Sequence, residues 1–187
     1  MSDLSATGPF GPHPTVVLHA TSSRALGGVM MGIAAFATVA TAFDDADSLL
    51  RYGGAFALFG LLGWAAFWQP HISVSDGGVI VVNTLRTIEV PWPAIEEVEG
   101  RYGLKLLTAY GPVSAWGAGA PTGRSRARAQ QSEASALVGE RLSALRAAGY
   151  LDDPRLERPR LVRTWHTPVV VALIVLAAAT ALLPLLA

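Results

Sequence analysis

The side chains that could do chemistry are sparse and scattered along the sequence. There are four histidines and no cysteine among 187 residues, which excludes thiolate metal sites and cysteine nucleophiles. No histidine has a second histidine or a carboxylate at metal-ligand spacing. Glu96, Glu97 and Glu99 form a charged run that is typical of a solvated face, and no glycine-rich phosphate loop precedes a helix. The sequence therefore favours a protein that is not an enzyme and holds no cofactor.

A short arginine run is the sharpest electrostatic feature. Arg124, Arg126 and Arg128 alternate with small residues. Each arginine near an anionic leaflet contributes about 1 kcal/mol, so this run is a candidate contact for anionic lipid or a partner. A solvated linker is the alternative interpretation. The net charge of the chain is zero, so no overall positive field recruits nucleic acid.

Three apolar segments are long enough to cross a bilayer. Charged residues make up only 15% of the chain, against about 25% in soluble proteins. Segments 25–43, 52–68 and 167–187 contain no charge, and 19 residues at 1.5 Å each cover roughly 28 Å of a hydrocarbon core about 30 Å thick. They predict a transmembrane hairpin (25–68) and a C-terminal transmembrane helix. A cleaved secretory signal is the alternative for the first segment, because Ala40-Thr41-Ala42 resembles a cleavage site.

The placement of basic residues predicts the orientation of these segments. Twelve of the 14 Lys and Arg residues lie between Gln69 and His166, and positively charged loops stay in the cytoplasm. The region between the spans is therefore predicted to be cytoplasmic, as is a flexible N-terminal segment, 1–24, while the C-terminus lies outside. The acidic loop Asp44–Asp47 then forms an external turn, for which a cation site is the alternative.

Small residues in the hairpin predict close helix packing. Gly28 and Gly32 form a GxxxG pattern in the first span, and Gly60 and Gly63 place small residues in the second. Such positions let helix backbones approach each other closely in lipid. Packing within the hairpin and packing against a helix of another protein would both use them.

Between residues 69 and 116 the pattern changes from helical to strand-like. Short alternating and β-branched runs are separated by turn residues such as Asp76-Gly77-Gly78 and Gly111-Pro112. Close spacing with a turn at each junction predicts a meander of about six antiparallel strands.

A helix is predicted to follow this meander. The stretch 117–131 has the composition of a flexible linker, and apolar residues at helical spacing predict an amphipathic helix at 132–148 with Ser132 as its cap. This helix would cover the open apolar side of the sheet, giving a domain over 69–148. A basic juxtamembrane segment, 149–166, leads to the last span.

The run VVNTLRTIEVPWPAIEEVE resembles bacterial pleckstrin-homology-like (PH) domains of small membrane proteins, notably the group of low-molecular-weight protein antigen 6. In that group a strand ends in Asn, a hairpin returns through Arg-Thr, and Pro-Trp leads to an Ile and then a Val. The resemblance covers roughly Gln69 to Ala148 and includes the preceding hairpin. The matching positions are Asn83, Arg86, Thr87, Pro91, Trp92, Ile95 and Val98.

The resemblance implies a small PH-like antiparallel β-domain that follows a transmembrane hairpin in a bacterial membrane protein. Together with the third apolar segment and the amphipathic helix, it predicts a multi-pass protein of the bacterial cell membrane in the α+β class, with three transmembrane helices and a PH-like antiparallel β-domain capped by one amphipathic helix. Trp92 is predicted to anchor a corner of the sheet, with ligand stacking as the alternative.

The expected role is an interaction module. In lipid-binding eukaryotic PH domains, basic residues flank the first hairpin, but here that turn, Ser75–Gly78, is acidic. The domain is therefore predicted to be a scaffold or accessory subunit among other integral membrane proteins. The alternative is an anionic-lipid sensor at the cytoplasmic leaflet.

Overall fold

A computed structural model describes residues 15–100, 103–116, 133–151 and 160–186. These ranges form four α-helices and eight strands, with a π-helical stretch at Trp64–Trp68 and a 3-10 turn at Trp92–Ala94. In chain order the elements are β1 (Val16–Leu18), α1 (Thr21–Asp44), α2 (Ala46–Gly63), β2 (His71–Val74), β3 (Gly78–Val82), β4 (Arg86–Pro91), β5 (Ile95–Glu99), β6 (Leu104–Thr108), β7 (Gly111–Ala115), α3 (Glu133–Ala147), β8 (Val162–Trp165) and α4 (Thr167–Leu186).

Three helices in the described part of the chain are long and apolar enough to cross a membrane. The stretches that meet this criterion are Ser23–Asp44, Ala46–Trp68 and Thr167–Pro184. The middle helix, α2, packs against both α1 and α4. The bundle therefore has α2 at its centre, with α1 and α4 on either side.

The acidic turn between α1 and α2 is shorter than predicted. Asp45 caps α2: one carboxylate oxygen accepts from the Ser48 backbone N–H at 2.6 Å and the other from the Ser48 hydroxyl at 2.7 Å. These bonds begin α2 at Ala46, so the second apolar helix starts six residues before the predicted segment 52–68. The backbone bond from Ser48 is the main reason that the pKa of Asp45 is lowered. The predicted turn Asp44–Asp47 thus reduces to one capping residue.

Glycines on α2 provide the close contact between α1 and α2. A Cβ at Gly63 would lie 2.7 Å from the Met30 Cβ, and one at Gly60 would lie 3.1 Å from the Ala34 Cβ. In α1 the glycine at this contact is Gly27, where a Cβ would lie 2.9 Å from the Gly63 carbonyl oxygen. Gly27, Met30 and Ala34 share one helical face because they are three and four residues apart.

The predicted GxxxG pair of α1 lies off this contact. A Cβ at Gly28 would meet only the Trp68 ring, at 3.7 Å, and one at Gly32 would meet nothing within 4 Å. The prediction that Gly32 packs within the hairpin is therefore wrong. Each residue advances about 100° around a helix, so moving one position from Gly27 turns a side chain away from α2.

We expect Gly63→Val to destabilise the helical bundle by about 1–3 kcal/mol more than Gly32→Val. Both variants replace a helical glycine with the same β-branched residue, so their intrinsic helix propensities cancel. Only the first forces atoms against Met30, which must shift. Unfolding titrations of the detergent-solubilised chain measure the difference. Equal destabilisation by both variants would contradict this packing.

The β-domain consists of two antiparallel sheets. One has the order β1-β2-β3-β4-β8 and the other β5-β6-β7. The six predicted strands are present as β2–β7, but they divide between the sheets after Pro91, where the turn Trp92–Ala94 redirects the chain. The buried residues that form the core between the sheets are Ile72, Val74, Val79, Val81, Ile88, Val90, Ile95, Leu104, Leu106 and Val113.

Helix α3 covers the second sheet by packing on β5 and β6. Its buried residues Ala134, Val138 and Leu142 follow helical spacing, and its span, 133–147, agrees closely with the predicted 132–148. The proposed cap, Ser132, and the linker 117–131 lie outside the described residues.

Two edge strands come from segments that were predicted to lie outside the domain. Val16–Leu18, within the supposedly flexible segment 1–24, pairs with β2, and Val162–Trp165, within the juxtamembrane segment, pairs with β4. The sheet therefore reaches beyond the predicted limits of 69–148. Val16–Leu18 is a run of three apolar residues and Val162–Trp165 does not alternate strictly between apolar and polar residues, so neither was recognised as a strand. Pairing satisfies backbone groups that the edges of β2 and β4 would leave open.

Candidate functional site

One end of the first sheet lies next to the apolar helices. Only two residues, Gln69 and Pro70, separate Trp68 from His71 at the start of β2, and only His166 separates the end of β8 from α4. The pairing His71↔Val82 and Arg86↔Trp165 places these four residues at the same end of the sheet. This end is called the helix-proximal end, and the opposite end, with the Ser75–Gly78 turn, the far end.

His166 ties the two connections together. The Gln69 side-chain amide donates to the His166 Nδ1 at 3.1 Å, and the Nε2–H of the same ring donates to the Thr87 hydroxyl at 2.9 Å. The His166 backbone N–H donates to the Leu85 carbonyl at 2.8 Å. The residues before β2 and after β8 are thus joined to each other and to β4.

The carbonyl oxygen of the Gln69 side chain takes no part in these hydrogen bonds. This oxygen, Oε1, is buried and has no hydrogen-bond partner among the described residues, although buried acceptors are usually satisfied. A rotation of the amide would present this oxygen to Nδ1 of His166, which then needs to carry a proton. The structure shows the arrangement in which the amide nitrogen faces Nδ1 and Oε1 stays unsatisfied.

A second contact group joins β1, β2 and the start of α1. The His19 and His71 rings stack with centroids 5.2 Å apart, and the His71 Nδ1–H donates to the Gln69 carbonyl at 2.8 Å. The Arg24 guanidinium lies 4.6 Å from the centroid of the Trp68 ring, a cation–π contact. Desolvation lowers the pKa of His19, and the charges of Arg24 and His71 lower it further.

Because the pKa of His19 is depressed, acidification should weaken the fold. Between the lowered pKa and the ordinary value of 6.5, the unfolded chain binds more protons than the folded one, so stability falls as the pH drops through this window. We expect His19→Gln to reduce the loss of melting temperature between about pH 7.5 and pH 5.5. Thermal unfolding of both proteins at the two pH values measures it. Equal losses would show that the pKa of His19 is not lowered.

Asn83 joins the two sheets at the helix-proximal end. Its side-chain amide donates to the Ser114 carbonyl at 3.0 Å, and its Oδ1 accepts from the Trp116 backbone N–H at 2.9 Å. The residue is buried, so both bonds form away from water and the loss of either leaves an unsatisfied group. Asn83 therefore has a structural role within the motif that suggested the family.

The Pro-Trp segment holds the strands and the turn together at the far end. Pro91 pairs with Gly78 at the end of β4, and the buried Trp92 donates from its indole N–H to the Ser75 carbonyl at 3.0 Å. Ile95 is buried and Val98 packs against the core from β5. This contact set favours the interpretation of Trp92 as an anchor rather than a ligand-stacking ring.

Among the described residues, the turn at the far end offers no unpaired positive charge to an anionic ligand. The turn Ser75–Gly78 contributes Asp76, which forms an ion pair with Arg141 of α3. The positive charge of Arg141 is thus neutralised, and the backbone of the turn is held by Trp92. Phosphate recognition of the kind described for eukaryotic PH domains has no counterpart at this turn.

The remaining candidate groups are dispersed. Arg124, Arg126 and Arg128 lie outside the described residues. Glu99 forms an exposed ion pair with Lys105 at 2.9 Å, a kind worth about 0–1 kcal/mol. No group of three histidine or acidic side chains converges as metal ligands in the part of the chain that the structure describes.

Sequence reasoning assigned no site role to Arg86 or Arg163 at the helix-proximal end, although Arg86 belongs to the family motif. Arg86 opens β4 directly opposite Trp165, and Arg163 lies two residues before Trp165 on β8. The signal available in the sequence was a basic residue two positions before a tryptophan, just ahead of an apolar span. Only the pairing of β4 with β8 brings Arg86 to the same place.

A protein-family model described as a bacterial PH domain matches residues 69–164, just over half of the chain. The chain belongs to the bacterial PH domain family. The matched range ends within β8, which agrees with the structural role of that strand in the sheet. The narrower assignment to the group of low-molecular-weight protein antigen 6 stays a prediction. No curated protein and no solved structure gives a significant match to this chain.

PH domains are generally non-catalytic interaction modules that bind lipids or proteins. The two sheets, the covering helix α3 and the family match support this general class for the domain of this chain.

Proposed function

We propose that α1, α2 with its π-helical extension, and α4 span the bacterial cell membrane, with the PH-like domain and the N-terminus in the cytoplasm. Their length and apolar composition support the spanning role. The concentration of basic residues between Gln69 and His166 supports the orientation. The capping residue Asp45 and the C-terminal end of α4 then lie on the outer side.

Single-cysteine labelling tests this topology cleanly because the chain has no native cysteine. Glu89→Cys places a thiol on an exposed position of β4, and Asp47→Cys places one beside the turn between α1 and α2. In intact cells we expect a membrane-impermeant maleimide to label only the Asp47 variant, with Glu89 reached only in inside-out vesicles. The reverse pattern would refute the orientation.

The domain acts, in this proposal, as a scaffold or accessory subunit of a larger membrane protein complex. The observation that carries it is the rigid mounting: β1, β2 and β8 are each joined to a helix of the bundle by no more than two residues. A module held at a fixed height and angle presents its surfaces to neighbouring membrane proteins at high effective concentration.

The surfaces available to partners are the strand edges of the domain. In the described residues, β1 and β8 form the two edges of the first sheet, and β7 forms one edge of the second. Edge strands present backbone donors and acceptors to which a partner strand can add. The outward side of α1 around Gly32, where an added Cβ would meet nothing within 4 Å, is open to a partner helix.

Affinity purification after extraction in mild detergent tests the accessory role. We expect the tagged full-length chain to retain integral membrane proteins in stoichiometric amounts. As a control, Val113→Asp places a carboxylate in the core of the domain and should release those partners that need the folded domain, while the helices keep the chain in the membrane. A monodisperse monomer without partners, even after mild crosslinking, would refute the accessory role.

A further inference from the structure

Two arginines and a tryptophan lie together on one face of the β4–β8 ladder. Arg86 is directly opposite Trp165, and Arg163 is directly opposite Ile88. Opposed residues of an antiparallel pair project to the same face, as do residues two apart on a strand. Arg86, Arg163 and Trp165 therefore share a face, with the two arginines as diagonal neighbours roughly 7–8 Å apart. These three residues are called the arginine pair and its tryptophan.

The arginine pair has no acidic partner among the described residues. The ion pairs there are Lys105–Glu99 and Arg141–Asp76, and neither includes Arg86 or Arg163. The nearest acidic residue on β4, Glu89, projects to the opposite face because side chains alternate along a strand. Two neighbouring positive charges repel each other, so a bound anion would stabilise this arrangement.

Exposed apolar side chains also lie at the helix-proximal end. Trp165 is 59% exposed and Leu85, in the β3–β4 turn, is 38% exposed. Trp116 is 72% exposed, and its backbone N–H bond to Asn83 holds it beside the same turn. Tryptophan is enriched where hydrocarbon meets the headgroups of a bilayer, and Trp165 lies two residues before α4.

We propose that the arginine pair and its tryptophan bind the phosphate of an anionic glycerophospholipid in the leaflet where these helices end. Guanidinium groups bind phosphate through paired, charge-assisted hydrogen bonds. The indole of Trp165 and the side chains of Leu85 and Trp116 contact the glycerol and the upper acyl chains. The inference rests on the proposed placement of the three helices in the membrane.

This site differs from the hairpin site of eukaryotic PH domains. The Ser75–Gly78 turn lies at the far end of the sheet, separated from Arg86 by the length of β3, about 17 Å at 3.3 Å per residue. With α2 and α4 in the bilayer, that turn points away from the lipid surface. The end of the domain that meets the headgroups is instead the helix-proximal one.

Lipid retention by the full-length chain tests the site. The chain is purified in detergent, incubated with dioleoyl phosphatidylglycerol or dioleoyl phosphatidylcholine, and analysed by native mass spectrometry. We expect preferential retention of phosphatidylglycerol, reduced about tenfold by Arg86→Gln with Arg163→Gln and partially by each single substitution. Arg160→Gln is the matched control, because this exposed arginine precedes β8 and should leave the retention unchanged.

Three results would overturn the proposal. They are equal retention of the two lipids by the unaltered chain, equal effects of Arg160→Gln and Arg163→Gln, and displacement of the lipid by equimolar glycerol 3-phosphate, which would indicate a soluble phosphate ligand. Thermal unfolding without lipid verifies that the variants fold, and the single substitutions serve if the double variant does not. Release of the chain from membranes by alkaline carbonate would instead refute the membrane placement itself.

Discussion

The shortness of the connections between sheet and helices is the constraint on which the rest of the structure depends. Two residues separate Trp68 from β2, and His166 alone separates β8 from α4. Such short connections leave the domain little room to rotate relative to the helices. The bonds from His166 to Gln69 and Thr87 restrict this rotation further. Although the family shares its general fold, the direction in which this domain faces is therefore set by the helices that carry it.

The two ends of the first sheet differ in how far their polar groups are paired. At the far end, Trp92 donates to the Ser75 carbonyl and Asp76 forms an ion pair with Arg141. At the helix-proximal end, Gln69 keeps an unpartnered oxygen and the arginines of the β4–β8 ladder lack acidic partners in the described residues. Unsatisfied charge and exposed indoles thus concentrate where the domain meets the helices, which is where a ligand gains most from binding.

The residues of the family motif and the residues available for function are largely separate. Asn83 joins the sheets and Trp92 anchors the far corner, so both maintain the fold. Arg86 is part of the same motif, yet it forms no ion pair within the described ranges. Because the motif residues mainly preserve the architecture, a match to the family identifies the framework, whereas the lipid contact that we propose uses Arg163 and Trp165, which lie outside the motif.

The sequence by itself determined the apolar helices, the six strands β2–β7 and helix α3, because each has a local period of 3.6 or 2 residues over a sufficient length. It did not determine β1 and β8, whose residues show no strict alternation of apolar and polar side chains and which form because β2 and β4 offer open edges. It also did not determine that Gly27 rather than Gly32 meets α2, since the rotational phase of a helix depends on its partner. Arg86 and Arg163 are far apart in sequence, and only strand register in the folded sheet brings their charges together.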